Sequence, residues 1–226
     1  MQARSSDGRW LLRADNDARA LLAFDAGSGA LARRIAVADK RGLTSRVAHI
    51  VDASARRSFI ALLADLPEAW ELLYDPNAGP VFDGLVHDYR MGEGLASGGP
   101  LPVRRITLDV PLADGLFSPD HAYFVARAGD GVVHVVSLDV RRVIERLRLG
   151  GEPRPEQGVA WSAGGERLFA FPDAGAARVL IVSSLGWRTP RAVDLPQPAR
   201  AVTRDSDGFL YVESAVGRRL RIDLPR

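Results

Sequence analysis

The 226-residue sequence predicts an all-β protein made of β-propeller blades, each of four antiparallel strands. Three observations carry that expectation. Short apolar strands return in one order: Ser118, Ser162 and Ser206 each mark such a run and stand 44 residues apart (162 − 118 and 206 − 162), the length of a four-stranded blade. Apolar positions follow no helical period over any long stretch. Gly, Pro, Asp and Ser cluster between the runs, where tight turns need them.

The first unit opens at Ser6-Asp7-Gly8-Arg9-Trp10 and continues with strands over residues 21–25 and 32–37. A second starts near Ser45, with strands at 47–51, 58–63 and 69–74 and an outer strand at 103–108. The third begins with the turn Ser118-Pro-Asp-His-Ala-Tyr-Phe-Val and, after Gly129-Asp-Gly131, has strands at 132–138 and 144–149. Residues 140–149 also suit a helix, but their place in the repeat assigns them to a strand. The fourth unit has an inner strand at 159–161, followed by 167–171, 178–182 and 191–195. The fifth has strands at 209–212 and 218–222 and no room for a fourth.

Between Ser6 and Ser118 lie 112 residues (118 − 6), 24 more than two periods (112 − 88). The excess falls at about 75–100, a stretch rich in Gly, Pro and charge. Insertions in a repeat map to loops on one face, often the binding face. Residues 1–226 thus read as one partial propeller, four complete blades and part of a fifth. Five units either close by borrowing an N-terminal strand or form the tail of a larger ring, and an open arc leaves unpaired strand edges.

Composition narrows the chemistry. The hydrophobic share is 46% and the charged share 26%, as in ordinary globular proteins. No run of about 18 apolar residues occurs, and no signal peptide is visible at the N-terminus. Without cysteine there is no disulfide, thiolate metal site, cysteine nucleophile or C-x-x-C-H heme attachment in this chain. The formal charge is +2, and Lys40 is the only lysine among 30 basic residues. These cations alternate with acids and form no stripe, which argues against a nucleic-acid surface.

Around the insertion the chain reads Trp70-Glu71-Leu72-Leu73-Tyr74-Asp75-Pro76, then Asp83-Gly84-Leu85-Val86-His87-Asp88-Tyr89-Arg90-Met91-Gly92-Glu93. Arg104-Arg105 and Leu138-Asp139-Val140-Arg141-Arg142 follow, and Ser45-Arg46-Val47 precedes the second blade. With these segments the sequence resembles the heme d1 propeller family, which includes the d1 domain of cytochrome cd1 nitrite reductase. Residues 83–93 are the specific part of the likeness. It implies the C-terminal half of an eight-bladed ring and places the chain with the heme d1 biosynthesis members. The implied ligand is heme d1 or a dihydro-heme d1 precursor, held non-covalently across the propeller axis. The implied setting is denitrification in the periplasm, with nitrite reductase and other maturation proteins as partners. The two distal histidines that serve nitrite reduction in the enzyme align with Ala113 and Arg154. Alanine transfers no proton and arginine stays protonated, so nitrite reduction is not expected.

Five residues are candidates for the tetrapyrrole site, and none for a metal site or a catalytic role. His87, Tyr89 and Arg90 share the insertion, where an imidazole, a phenol and a guanidinium converge if the loop turns one face inward. Arg46 and Arg154 each precede an inner strand, and a guanidinium there suits a tetrapyrrole carboxylate. Arg154 also lies between Pro153 and Pro155, which stiffen it. Each has a plainer alternative: Asp88 and Arg90 tie the insertion to itself, and Arg46 makes an interblade ion pair. His49 alternates with Val47 and Val51 as a core residue, and Trp10, Trp70, Trp161 and Trp187 are packing residues. The expected geometry has the insertion overhanging the face from which Arg46 and Arg154 point inward. Three functions remain open: tetrapyrrole maturation by an oxidoreductase, a non-catalytic module that presents the tetrapyrrole, and a scaffold for a protein partner.

Overall fold

The computed structural model describes residues 1–81, 99–187, 190–214 and 217–222. Their regular structure is antiparallel strand, with short 3-10 turns at Ser54–Arg56 and Pro155–Gln157. The strands group into meanders in which each pairs with the next in sequence. The first contains β1 (Gln2–Arg4), β2 (Trp10–Asp15), β3 (Ala20–Asp25) and β4 (Leu31–Ala36). The second contains β5 (Val47–Ala53), β6 (Ser58–Leu63), β7 (Glu68–Leu73) and β8 (Val103–Thr107). The third contains β9 (Leu116–Phe117), β10 (Tyr123–Arg127), β11 (Val133–Ser137) and β12 (Arg142–Leu147). The fourth runs β13 (Val159–Ala163), β14 (Glu166–Asp173), β15 (Arg178–Ser183) and β16 (Arg191–Asp194). The last has β17 (Ala199–Arg204), β18 (Leu210–Ser214) and β19 (Arg219–Ile222). These are β-propeller blades, four with four strands and a fifth with three described strands.

The chain divides into two compact units, Met1–Ala113 and Asp114–Arg226. In the first unit, alternate residues of blades one and two share a core, with Leu12, Leu21 and Ala23 packing with Phe59, Leu63, Trp70 and Leu72. In the second unit, blade four is covered on both faces. Phe169, Phe171, Leu180 and Val182 pack with Val125, Val133 and Val135 of blade three. The intervening Ala170, Val179 and Ile181 pack with Val202, Leu210 and Val212 of blade five. This double burial explains why middle strands read as unbroken apolar runs, whereas the outer strand β12 alternates between exposed and covered positions. The expected strand at 140–149 is β12. Trp10, Trp70 and Trp161 are buried, and Trp187 packs its ring against Tyr123 and Phe169.

The repeat is phased differently from its serine markers. In blade three Ser118 closes the first hairpin: its Oγ donates to Asp120 Oδ1 and accepts the Tyr123 N–H. The matching residue in blade one is Ser5, whose Oγ donates to Asp7 and accepts the Trp10 N–H, so the turn begins one residue before Ser6 and follows a strand, β1. In blade two this turn is Ser54–Arg57, one strand beyond Ser45. Blade four uses a two-residue turn of Gly164 and Gly165, both at positive φ, as a tight hairpin requires.

Candidate ligand-binding site

Within each antiparallel blade, the entry to the inner strand and the loop between the second and third strands lie at one end. The first hairpin and the loop between the third and fourth strands lie at the other. Arg46 and Arg154 both stand at inner-strand entries, of β5 and β13.

Arg154 is set by a segment fastened along its length. The Arg154 N–H donates to Pro172 O at 2.9 Å, and the Ala174 N–H to Glu152 O at 2.8 Å. Asp173, fully buried, accepts the Glu152 N–H at 2.7 Å, the Gly175 N–H at 3.0 Å and Arg178 Nε at 2.8 Å. Gly151 lies at φ 64, and a Cβ there would collide with the Asp173 carboxylate. Just beyond, Gly158 lets β13 approach β14: a Cβ would meet Ala170 O at 2.5 Å. Pro155 is buried and begins the 3-10 turn. The backbone of Arg154 is therefore held, while its exposed guanidinium, among the described residues, meets Glu152 at 3.8 Å. Beside it is a cleft of about 270 Å³ lined by Arg154, Gln157, Ala174, Ala199 and Arg200.

Arg46 has a different environment. Its Nη2 donates to Asp65 Oδ1 at 2.6 Å, its Nε to Oδ2 at 3.1 Å and its backbone N–H to Oδ2 at 2.9 Å. Arg19 of blade one adds a contact to the same carboxylate at 3.1 Å. The Arg46 side-chain bond, followed by its backbone N–H, holds the Asp65 carboxyl far below the usual carboxylate range. Arg46 is thus engaged in an ion pair within its own blade, where the plainer alternative had one between blades; the interblade contact to Asp65 comes from Arg19.

The insertion leaves β7 after Leu73 and returns at Val103, so its roots lie at the end of blade two opposite Arg46. They are not at the Arg46 end that the insertion was expected to overhang, because a loop between third and fourth strands emerges at the far end of the inner strand. At the first root, Tyr74 donates to Asp52 Oδ1 at 2.6 Å and shares a 2.9 Å hydrogen bond with Ser6 of blade one. At the second root, Arg33 Nη1 donates to the carbonyls of Pro100 and Leu101. His87, Tyr89 and Arg90 lie outside the described residues. His49 is half-buried on β5, opposite Leu62.

No family model matches the chain. Against curated proteins, it is 28% identical over 212 residues to the dihydro-heme d1 dehydrogenase of Pseudomonas aeruginosa, covering 92% of this chain and 36% of the relative. It is 27% identical over 183 residues to protein NirF of Stutzerimonas stutzeri, covering 76% of this chain and 41% of the relative. Among solved structures, dihydro-heme d1 dehydrogenase NirN in complex with DHE superposes with a TM-score of 0.77 at 25% identity, over 98% of this chain and 44% of that one. The chain is homologous to the heme d1 propeller proteins NirN and NirF. It spans well under half the length of these relatives. The sequence resemblance pointed to NirF within the family; the dehydrogenase is matched at similar identity over more of this chain, 92% against 76%.

Sequence reasoning did not single out Gln157 or Arg200, whose signal lies in the fold: the start of β17 brings Arg200 to the cleft beside Arg154. Among the described residues, no three His, Cys, Asp or Glu side chains are grouped to hold a metal ion, and no helix is long and apolar enough to cross a membrane.

Proposed function

We propose that the chain serves heme d1 biosynthesis by binding a late d1-type tetrapyrrole intermediate, without a covalent link, for maturation of nitrite reductase in the periplasm. The observation that carries this reading is the superposition of nearly the whole chain on dihydro-heme d1 dehydrogenase NirN, solved in complex with DHE. A d1-type tetrapyrrole is a flat apolar ring with several carboxylates. Arg154, fixed in its backbone and open at its guanidinium, is suited to one of them, and Arg46 is a second candidate if it exchanges Asp65 for a ligand. His87, Tyr89 and Arg90 are the contacts assigned to the insertion.

Titration of the full protein with a d1-type tetrapyrrole, followed by absorbance, is the test. Saturable binding weakened by His87→Ala and Arg154→Ala, but not by an Arg141→Ala control, is expected. No spectral change in the wild-type protein would overturn the reading. The bound complex should not turn over nitrite, because Ala113 and Arg154 offer no group that switches between neutral and cationic forms near neutral pH.

The relationship to a dehydrogenase favours a second reading, in which the protein also oxidises its ligand. Two electrons and two protons would leave adjacent saturated carbons as a C=C bond forms, with an external redox protein as acceptor. Product analysis with and without such an acceptor separates oxidation from binding alone.

A further inference from the structure

We infer that Arg154 and Arg200 form a two-arginine subsite that grips one carboxylate arm of the tetrapyrrole, an inference resting on the binding function proposed above. Arg200 lies where the pairing of β17 with β18 shifts register between Ala199 and Ala201. Such a bulge re-aims the side chain it carries. Arg200 is exposed, and among the described residues its guanidinium has no hydrogen bond or ion pair. Arg154 reaches Glu152 only at 3.8 Å. Elsewhere in this unit, arginines beside inner-strand turns are matched at close range: Arg167 meets Asp120 at 2.6 Å and Arg178 meets Asp173 at 2.8 Å. The cleft between Arg154 and Arg200 is lined by Gln157 and two alanines and has no acidic lining residue. With Glu152 only at the 3.8 Å edge of Arg154 and no acid in the cleft lining, two cations border one gap, and a bound anion between them is favoured.

Size and shape narrow the anion. About 270 Å³ is less than the pockets that enclose drug-sized ligands, so the cleft takes a side arm and not a tetrapyrrole ring. Each guanidinium presents a planar fork that matches carboxylate geometry, and the Gln157 amide supplies a further donor. The Arg154 backbone, pinned by the Asp173 network, is ordered before the ligand arrives, which lowers the entropy cost of binding.

The experiment compares the full protein with Arg200→Gln, Arg200→Lys and an Arg204→Gln control on the same strand. The ligands are a d1-type tetrapyrrole and its fully esterified form. Arg200→Gln should weaken binding of the free acid about tenfold or more, Arg200→Lys by less, and Arg204→Gln hardly at all. Binding of the ester should be unchanged by Arg200→Gln. Wild-type affinity in Arg200→Gln overturns the subsite and leaves the tetrapyrrole function standing. Equal losses for acid and ester also overturn it, since they mark a structural role. Failure of the wild-type protein to bind either ligand removes both readings.

Discussion

Tyr74 shows what one side chain does at the base of the insertion. Its ring packs against Phe59 with centroids 5.3 Å apart, and its hydroxyl links Asp52 of blade two to Ser6 of blade one. Burial, reinforced by the hydrogen bond to Asp52, pushes the phenol up to about 12. The folded state thus favours the neutral phenol, and this stabilisation is whole below about pH 10, the ordinary tyrosine value. It is lost as pH rises through about 12. Tyr74→Phe should lower unfolding free energy by about 1–2 kcal/mol at neutral pH. It should also remove a late alkaline step in stability, seen by denaturant titration alongside tyrosinate absorbance. Residue identity in the sequence showed a tyrosine beside the insertion, but not the bridge to Ser6, because that partner is 68 positions away and comes from another blade.

At the scale of the element, the entry into β13 shows how a loop is made firm. The loop between β14 and β15 and the segment before β13 are joined by backbone hydrogen bonds and by the buried carboxylate of Asp173. The proline pair around Arg154 was readable as a stiff stretch. The reason it stays in place was not, since Gly151 and Gly158 look like ordinary loop glycines until the neighbouring strand is in position. Asp173→Ala should cost about 3 kcal/mol, because Arg178 and two amide donors lose their buried acceptor. Urea unfolding measures this. Strand order and the insertion were legible because apolar runs and turn residues are local signals. The phase of blades one and two was not: Ser5 and Ser118 close turns of the same length, but Ser6 stands beside Ser5, and blade two makes a shorter turn at Ser54–Arg57, one strand beyond Ser45.

Across the molecule, repetition made the fold class visible, and the family likeness followed from segments around the insertion. Of the candidate site residues, Arg154 lies at a cleft, Arg46 is tied to Asp65, and the insertion candidates lie outside the described residues. Arg200 needed the fold, since no local pattern distinguishes it from the other arginines of the chain. One blade-to-blade contact also bears on the order in which the chain assembles. Asp120 uses one oxygen to close its own turn with Ser118 and the Ala122 N–H, and the other to hold the Arg167 guanidinium of the next blade at 2.6 and 2.8 Å. Burial opposes charge on Asp120, yet the bonds from Ser118, Arg167 and Ala122 outweigh it and keep the carboxyl below its ordinary range. The turn already places the second oxygen for Arg167, and we therefore expect hairpin formation to precede docking of the next blade. Arg167→Ala should therefore speed unfolding while leaving refolding nearly unchanged in stopped-flow measurements, the pattern of a contact made after the rate-limiting barrier. On that expectation blade four latches onto a turn that blade three has already finished.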